Sequence, residues 1–194
     1  MVQHHRGVPA LQGPGVDVSA GELPEPIIPL SWLIGSWVGV GTGQYPSIDD
    51  FRFGQEAVFR CDGRPFLSYF SRTWMLDDDG NRVRPLGTEA GFWRPRPDNH
   101  VEVTLAHPTG YAEIWLGTIE VTGIENAVIT GARATLKTDV VARTDSAKEY
   151  TGGERLYGLV DGRLLWTYDM AAMGHAMTHH RAATLTPVVG DLDE

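Results

Sequence analysis

Three histidines, His175, His179 and His180, fall within six residues near the end of the sequence, and imidazole is the commonest side chain used to hold a transition metal. A bare metal cluster nevertheless fits the spacing poorly. On an extended strand His175 and His179 share one face while His180 takes the other, and no carboxylate or thiol stands at ligand spacing to complete a tetrahedron. The single cysteine, Cys61, can form neither an internal disulfide nor a thiolate site by itself. Read alone, a His-His pair on a terminal strand is a solvated or core-satisfied feature. His107, beside Pro108, reads as a structural turn residue, and His4, His5 and His100 read as leader or surface. Among 25 acidic residues, no Ser-His-Asp order or paired-carboxylate motif stands out.

The densest punctuation lies earlier, in Gly35-Ser-Trp37-Val-Gly39-Val-Gly41-Thr-Gly43-Gln-Tyr45-Pro46. Glycine at every second position strips one face of a strand of its side chains, so that another backbone, an aromatic ring or a ligand can approach closely. A phosphate loop is disfavoured: the spacing is not G-x-G-x-x-G, no helix follows, and no Lys-Ser/Thr pair ends the run.

These residues need elements to position them, and the chain supplies strands. Polar and apolar residues alternate in Glu56-Ala-Val-Phe-Arg60, Phe66 to Trp74, Val101 to Ala106, Ala112 to Leu116 and Arg163 to Tyr168. Turn signals separate the runs at Asp62-Gly63, Asp79-Gly80, Pro97-Asp98-Asn99, Thr109-Gly110, Thr122-Gly123 and Asp161-Gly162. No helical stretch long enough for a crossover stands between them, which favours an antiparallel meander. Closure removes the edges of such a sheet. The expected fold is all-β, a closed antiparallel up-and-down barrel of about ten strands, wide enough to enclose one small ligand. Ile28 to Ile34 offers a short helical turn near one end, with Ser31 as cap and Gly35 as stop. Trp74, Trp93, Trp115 and Trp166 read as wall or core, and Met170, Met173 and Met177 as packing.

Residues 1–29 are rich in Pro and Gly and read as a flexible leader without regular structure, residues 30–187 as the barrel, and residues 188–194 as an acidic tail. A net charge of −9 gives no electrostatic reason to approach nucleic acid or anionic lipid. At 42% hydrophobic and 21% charged the chain can bury a core, and no apolar run is long enough to span a bilayer. One lone cysteine and the lack of a signal-peptide pattern lead to an expected cytoplasmic location.

The pattern from Gly35 to Pro46 (Gly35, Trp37, Gly39, Gly41, Gly43, Tyr45, Pro46) resembles the signature of the nitrobindin family, which are haem-binding ten-stranded barrels shaped like fatty-acid-binding proteins. Gly91-Phe-Trp-Arg-Pro-Arg-Pro-Asp98, Ala106-His-Pro-Thr-Gly110, Ala147-Lys148-Glu149 and His180-Arg-Ala-Ala-Thr-Leu185 are similar to further family segments, in the family's order. The resemblance implies one haem b per chain with His180 as its axial, catalytic ligand; His179 and His175 are the alternatives within register. It implies Ser47 close to the haem in place of the family's Thr, and Lys148 at the cofactor edge, able to offset a propionate. Gly87 stands where some relatives carry a distal His. The implied reaction is isomerisation of peroxynitrite to nitrate at ferric iron, with nitric oxide as a companion ligand, in a monomer or homodimer. A second reading is a carrier of a fatty acid or similar apolar molecule in the same cavity, anchored by an inward Arg.

Overall fold

The computed structural model describes residues 23–188. A 3-10 helix at Glu25–Leu33 is followed by β1 (Gly35–Tyr45), β2 (Ile48–Arg60), β3 (Leu67–Leu76), β4 (Arg82–Arg96) and β5 (His100–His107). The chain continues through β6 (Tyr111–Glu125), β7 (Val128–Arg143), β8 (Tyr150–Val160), β9 (Arg163–Ala172) and β10 (Thr178–Val188). Each strand pairs with the next, and β10 returns to β1, so the ten strands form one closed barrel. The closing β1–β10 ladder is antiparallel, from Ser36 opposite Val188 to Gly43 opposite Arg181. Every strand therefore has a neighbour on both sides, and the sheet has no edge strand.

Alternation decides which face is inside. In β5, Val101, Val103 and Leu105 are buried while their neighbours are not. Phe53, Phe59, Leu67, Trp93, Trp115, Leu164 and Leu185 are almost fully enclosed, each contributing about 2 kcal/mol by leaving water. Trp93 sits at the centre of an aromatic cluster, edge-on to Phe59 at 5.7 Å and to Tyr157 at 5.1 Å.

Three local expectations are corrected. Thr122-Gly123 lies inside β6, where Gly123 faces Gly131 across a register irregularity. The reversal comes three residues later at Asn126-Ala127, both at positive φ (50° and 64°), as a tight hairpin turn demands. Residues 25–29, assigned to the leader, belong to the 3-10 helix. Pro24 and Pro26 preset the backbone for its first turn, and Ile27, Leu30 and Leu33 are wholly buried; apolar burial outweighs the donors that the prolines lack. Ser31 does not cap this helix: its carbonyl accepts from the Ile34 amide at 3.2 Å. Trp37 Nε1 donates to the Leu33 carbonyl at 2.8 Å and ties the plug to β1. The remainder of the expected leader, residues 1–22, and the tail beyond Val188 lie outside the described residues. Among the described residues, no helix is long and apolar enough to cross a membrane.

Candidate functional site

At the end of β1 opposite the helical plug, the barrel holds a cavity of about 250 Å³. Its wall includes Thr73, Leu86, Gly87, Glu89, His107, Glu113, Lys148, Arg155, Tyr168, Met170, Met173, His180 and Arg181. The wall combines apolar side chains with two buried ion clusters and one imidazole.

That imidazole belongs to His180, which is 6% exposed. It owes its direction to an irregularity in β10. His179 pairs with Asp169 and Arg181 with Tyr168, leaving His180 as the extra residue of a bulge. Ala183 and Leu185 point inward farther along β10, so unbroken alternation would put His179 and Arg181 inside and His180 outside. The bulge resets the phase, and both His180 and Arg181 reach the cavity. His179 turns to the exterior, its Nδ1 lying 3.0 Å from Asp169 Oδ1. His175 is exposed, with its ring edge-on to Tyr45 at 5.5 Å.

Nδ1 of His180 lies 2.9 Å from the Gln44 carbonyl oxygen. A carbonyl only accepts, so the proton sits on Nδ1 and Nε2 is the ring's acceptor nitrogen. Burial, reinforced by the charge of Arg181, lowers the pKa of His180 to about 4; the ring is neutral near pH 7. Tyr45 and Tyr168 pack edge-on against it at 5.4 and 5.7 Å. The Tyr45 hydroxyl accepts from the Ala172 amide at 3.0 Å and contacts the Met170 and Ala172 carbonyls at 3.2 and 3.1 Å. This locks the end of β1 to β9.

The glycine ladder serves packing. A Cβ at Gly43 would overlap the Phe51 ring, one at Gly41 would overlap Phe53 and the Ala182 carbonyl, and one at Gly39 would overlap the Thr184 carbonyl. Phe51 in turn lies 6.4 Å from the His180 ring. The bare face therefore admits aromatic rings and the neighbouring backbone, and these rings floor the imidazole.

Sequence reasoning missed most of the charged wall. Arg155, 6% exposed, meets Glu89 through two parallel bonds of 2.9 Å, and Tyr69 donates to Glu89 at 2.6 Å. Burial pushes the Glu89 carboxyl up, but the charge and hydrogen bonds of Arg155 outweigh it and bring the pKa down to about 2. His107 Nε2 lies 2.6 Å from Glu113 Oε2. Glu113 is buried, which pushes its pKa up, yet the His107 bond and the Arg155 charge leave it lowered. Arg181 has no hydrogen-bond or ion-pair partner among the described residues: its Nε is enclosed without one, and its guanidinium lies 5.8 and 5.9 Å from the Phe51 and Phe53 rings. No motif marks these residues; only the phase reset and pairing across the barrel bring them together.

Lys148 lines the rim, its carbonyl accepting from the Tyr111 hydroxyl at 2.9 Å. Gly87 is in the wall, as is Met170, whereas Met177 is 39% exposed. Ser47 is exposed in the β1–β2 turn and is not among the cavity residues; the two-residue reversal after Tyr45 carries its hydroxyl away from the wall. Among the described residues, no three His, Cys, Asp or Glu side chains gather as a metal cluster.

A closed antiparallel barrel with a terminal cavity and a neutral, oriented imidazole in its wall defines a small-ligand-binding barrel whose donor set suits a single axial bond to a metal. Residues 27–186 match the model of the THAP4-like, heme-binding beta-barrel domain. The chain belongs to that family. It is 50% identical over 157 residues to a peroxynitrite isomerase of Nocardioides sp., covering 81% of this chain and 90% of that protein. It is 43% identical over 182 residues to a ferric nitrobindin-like protein of Kineococcus radiotolerans, covering 86% and 96%. The crystal structure of Rv2717c from M. tuberculosis superposes with a TM-score of 0.78 at 35% identity, covering 86% of this chain and 99% of that one.

Proposed function

We propose that the protein binds one haem b through Nε2 of His180 and isomerises peroxynitrite to nitrate, as the names of its relatives suggest. The observation carrying this reading is the His180–Gln44 bond, which orients a neutral imidazole with Nε2 as its acceptor. The residues present fit the group. Metal-ligating histidines characteristically donate their other ring nitrogen to a carbonyl or carboxylate, and Leu86, Met170 and Met173 give an apolar wall beside the imidazole.

A bound ferric haem supplies the iron at which peroxynitrite rearranges to nitrate, without net electron transfer. The chain's own residues then have distinct tasks. Gln44 fixes the tautomer, Tyr45 and Tyr168 fix the ring plane, and Lys148 at the rim can balance a propionate. Gly87 contributes no side chain, so no imidazole from that position opposes His180. Nitric oxide is the companion ligand on the same grounds. The carrier reading cannot use Arg155, whose bidentate edge is already taken by Glu89, and would rest on Arg181 instead.

The test is reconstitution with hemin followed by stopped-flow decay of peroxynitrite. The loaded protein should show a Soret band and accelerate decay toward nitrate. A Soret band unchanged in His180→Ala overturns the ligand assignment, and decay no faster than the buffer rate overturns the enzymatic one.

A further inference from the structure

Arg181 is a charged side chain of the cavity wall with no hydrogen-bond or ion-pair partner among the described residues. The carboxylates around it are engaged elsewhere: Glu89 is held by Arg155 and Tyr69, and Glu113 by His107. Its Nε is enclosed and unpartnered. The residue as a whole is partly buried, and an enclosed guanidinium nitrogen without a partner calls for an explanation, of which a bound ion is one. Space for that ligand exists on the Gly87 side, since a Cβ built there would meet Thr73 Oγ1 at 3.5 Å and Arg181 Nη1 at 3.9 Å and nothing nearer. The guanidinium is steadied by the Phe51 and Phe53 rings, and the bulge holds it beside His180 on the same strand.

We propose that Arg181 is the anion-binding residue of this cavity, taking two oxygens of a planar oxyanion through its guanidinium edge. Such an edge belongs equally to a porphyrin carboxylate and to a free ion of the nitrate class, and guanidinium matches both geometries. The proposal deepens the haem reading and rests on it for the carboxylate source, whereas the free-ion source is testable without haem.

Two titrations separate these. In the first, haem-free protein is titrated with sodium nitrate against sodium chloride of equal ionic strength, following the backbone amide resonances of Gly87 and His180, cavity residues that all the variants retain. In the second, hemin and hemin dimethyl ester are compared for affinity. Both are run on wild type, Arg181→Met and Arg181→Lys, with thermal melts to confirm folding. A saturable nitrate response that weakens about tenfold in Arg181→Met and partly returns in Arg181→Lys supports the free ion. A preference of about tenfold for hemin over its ester, lost in Arg181→Met, supports the carboxylate. Wild type and Arg181→Met behaving alike in both titrations overturns the proposal. Failure of hemin to bind wild type would instead count against the haem reading, and the nitrate titration alone would then decide the role of Arg181.

Discussion

His180 and Gln44, 136 residues apart in sequence, are joined by a 2.9 Å bond from the imidazole Nδ1 to the backbone carbonyl. The acceptor is main chain, one residue past the Gly43–Arg181 end of the β1–β10 ladder, so the bond does not depend on the Gln44 side chain. The consequence is specific to His180. His180→Gly should lose the imidazole-ligated Soret band, and added imidazole should restore it. His179→Ala, which alters a ring paired with Asp169 on the exterior, should leave the spectrum unchanged.

Acid stability should fall in two windows. The folded pKa of His180, about 4, lies below its ordinary 6.5, so the unfolded chain takes up the proton first and stability drops between pH 6.5 and 4, by on the order of 2 kcal/mol. Glu89 has a folded pKa of about 2 against 4.5. Its contribution is complete above pH 4.5 and is lost as pH falls toward 2, by on the order of 3 kcal/mol. Urea denaturation of haem-free protein should show the first slope flattened in His180→Leu and the second in Glu89→Gln.

Breaking the Arg155–Glu89 pair should be among the costliest single changes in the barrel. Either Glu89→Gln or Arg155→Met strands its partner in the wall and should destabilise by about 3–5 kcal/mol. Chemical denaturation of both single variants and the double variant checks this, with the double costing clearly less than the sum.

Gly43→Ala should force the Phe51 ring aside, because the added methyl overlaps it. Overpacking of this kind costs about 1–3 kcal/mol, and a shift of Phe51 should also perturb the haem spectrum through its contact with His180. Thr42→Ala, one residue away on the exposed face, should stay within about 0.5 kcal/mol.

The barrel was legible because its strands obey a period of two and are punctuated by residues that accept positive φ. Asp98-Asn99 and Asp161-Gly162 turn where the sequence places them. Thr122-Gly123 misleads, since a small residue in a long strand and one in a turn look alike; Asn126-Ala127 reverses the chain without a glycine. The helix at Glu25 was hidden by its own prolines, whose effect on isolated chain is overridden by burial of Ile27. That His179 and His180 take opposite faces follows from alternation between neighbours. That His180 is the one turned inward, beside an inward Arg181, could not be read that way, because a bulge breaks the rule the reading relies on. Arg155 and Glu89 are separated by 66 residues, and only closure of the barrel makes them partners.

The extra residue at His180 divides β10 into two independent lengths. From Arg181 onward the strand is laddered on both sides and answers to the requirements of folding. Before it no β1 partner remains, so Thr178 and His179, tied to β9 alone, can be rewritten without re-threading the hoop. Selection can thus retune what the mouth recognises while the frame stays as it is.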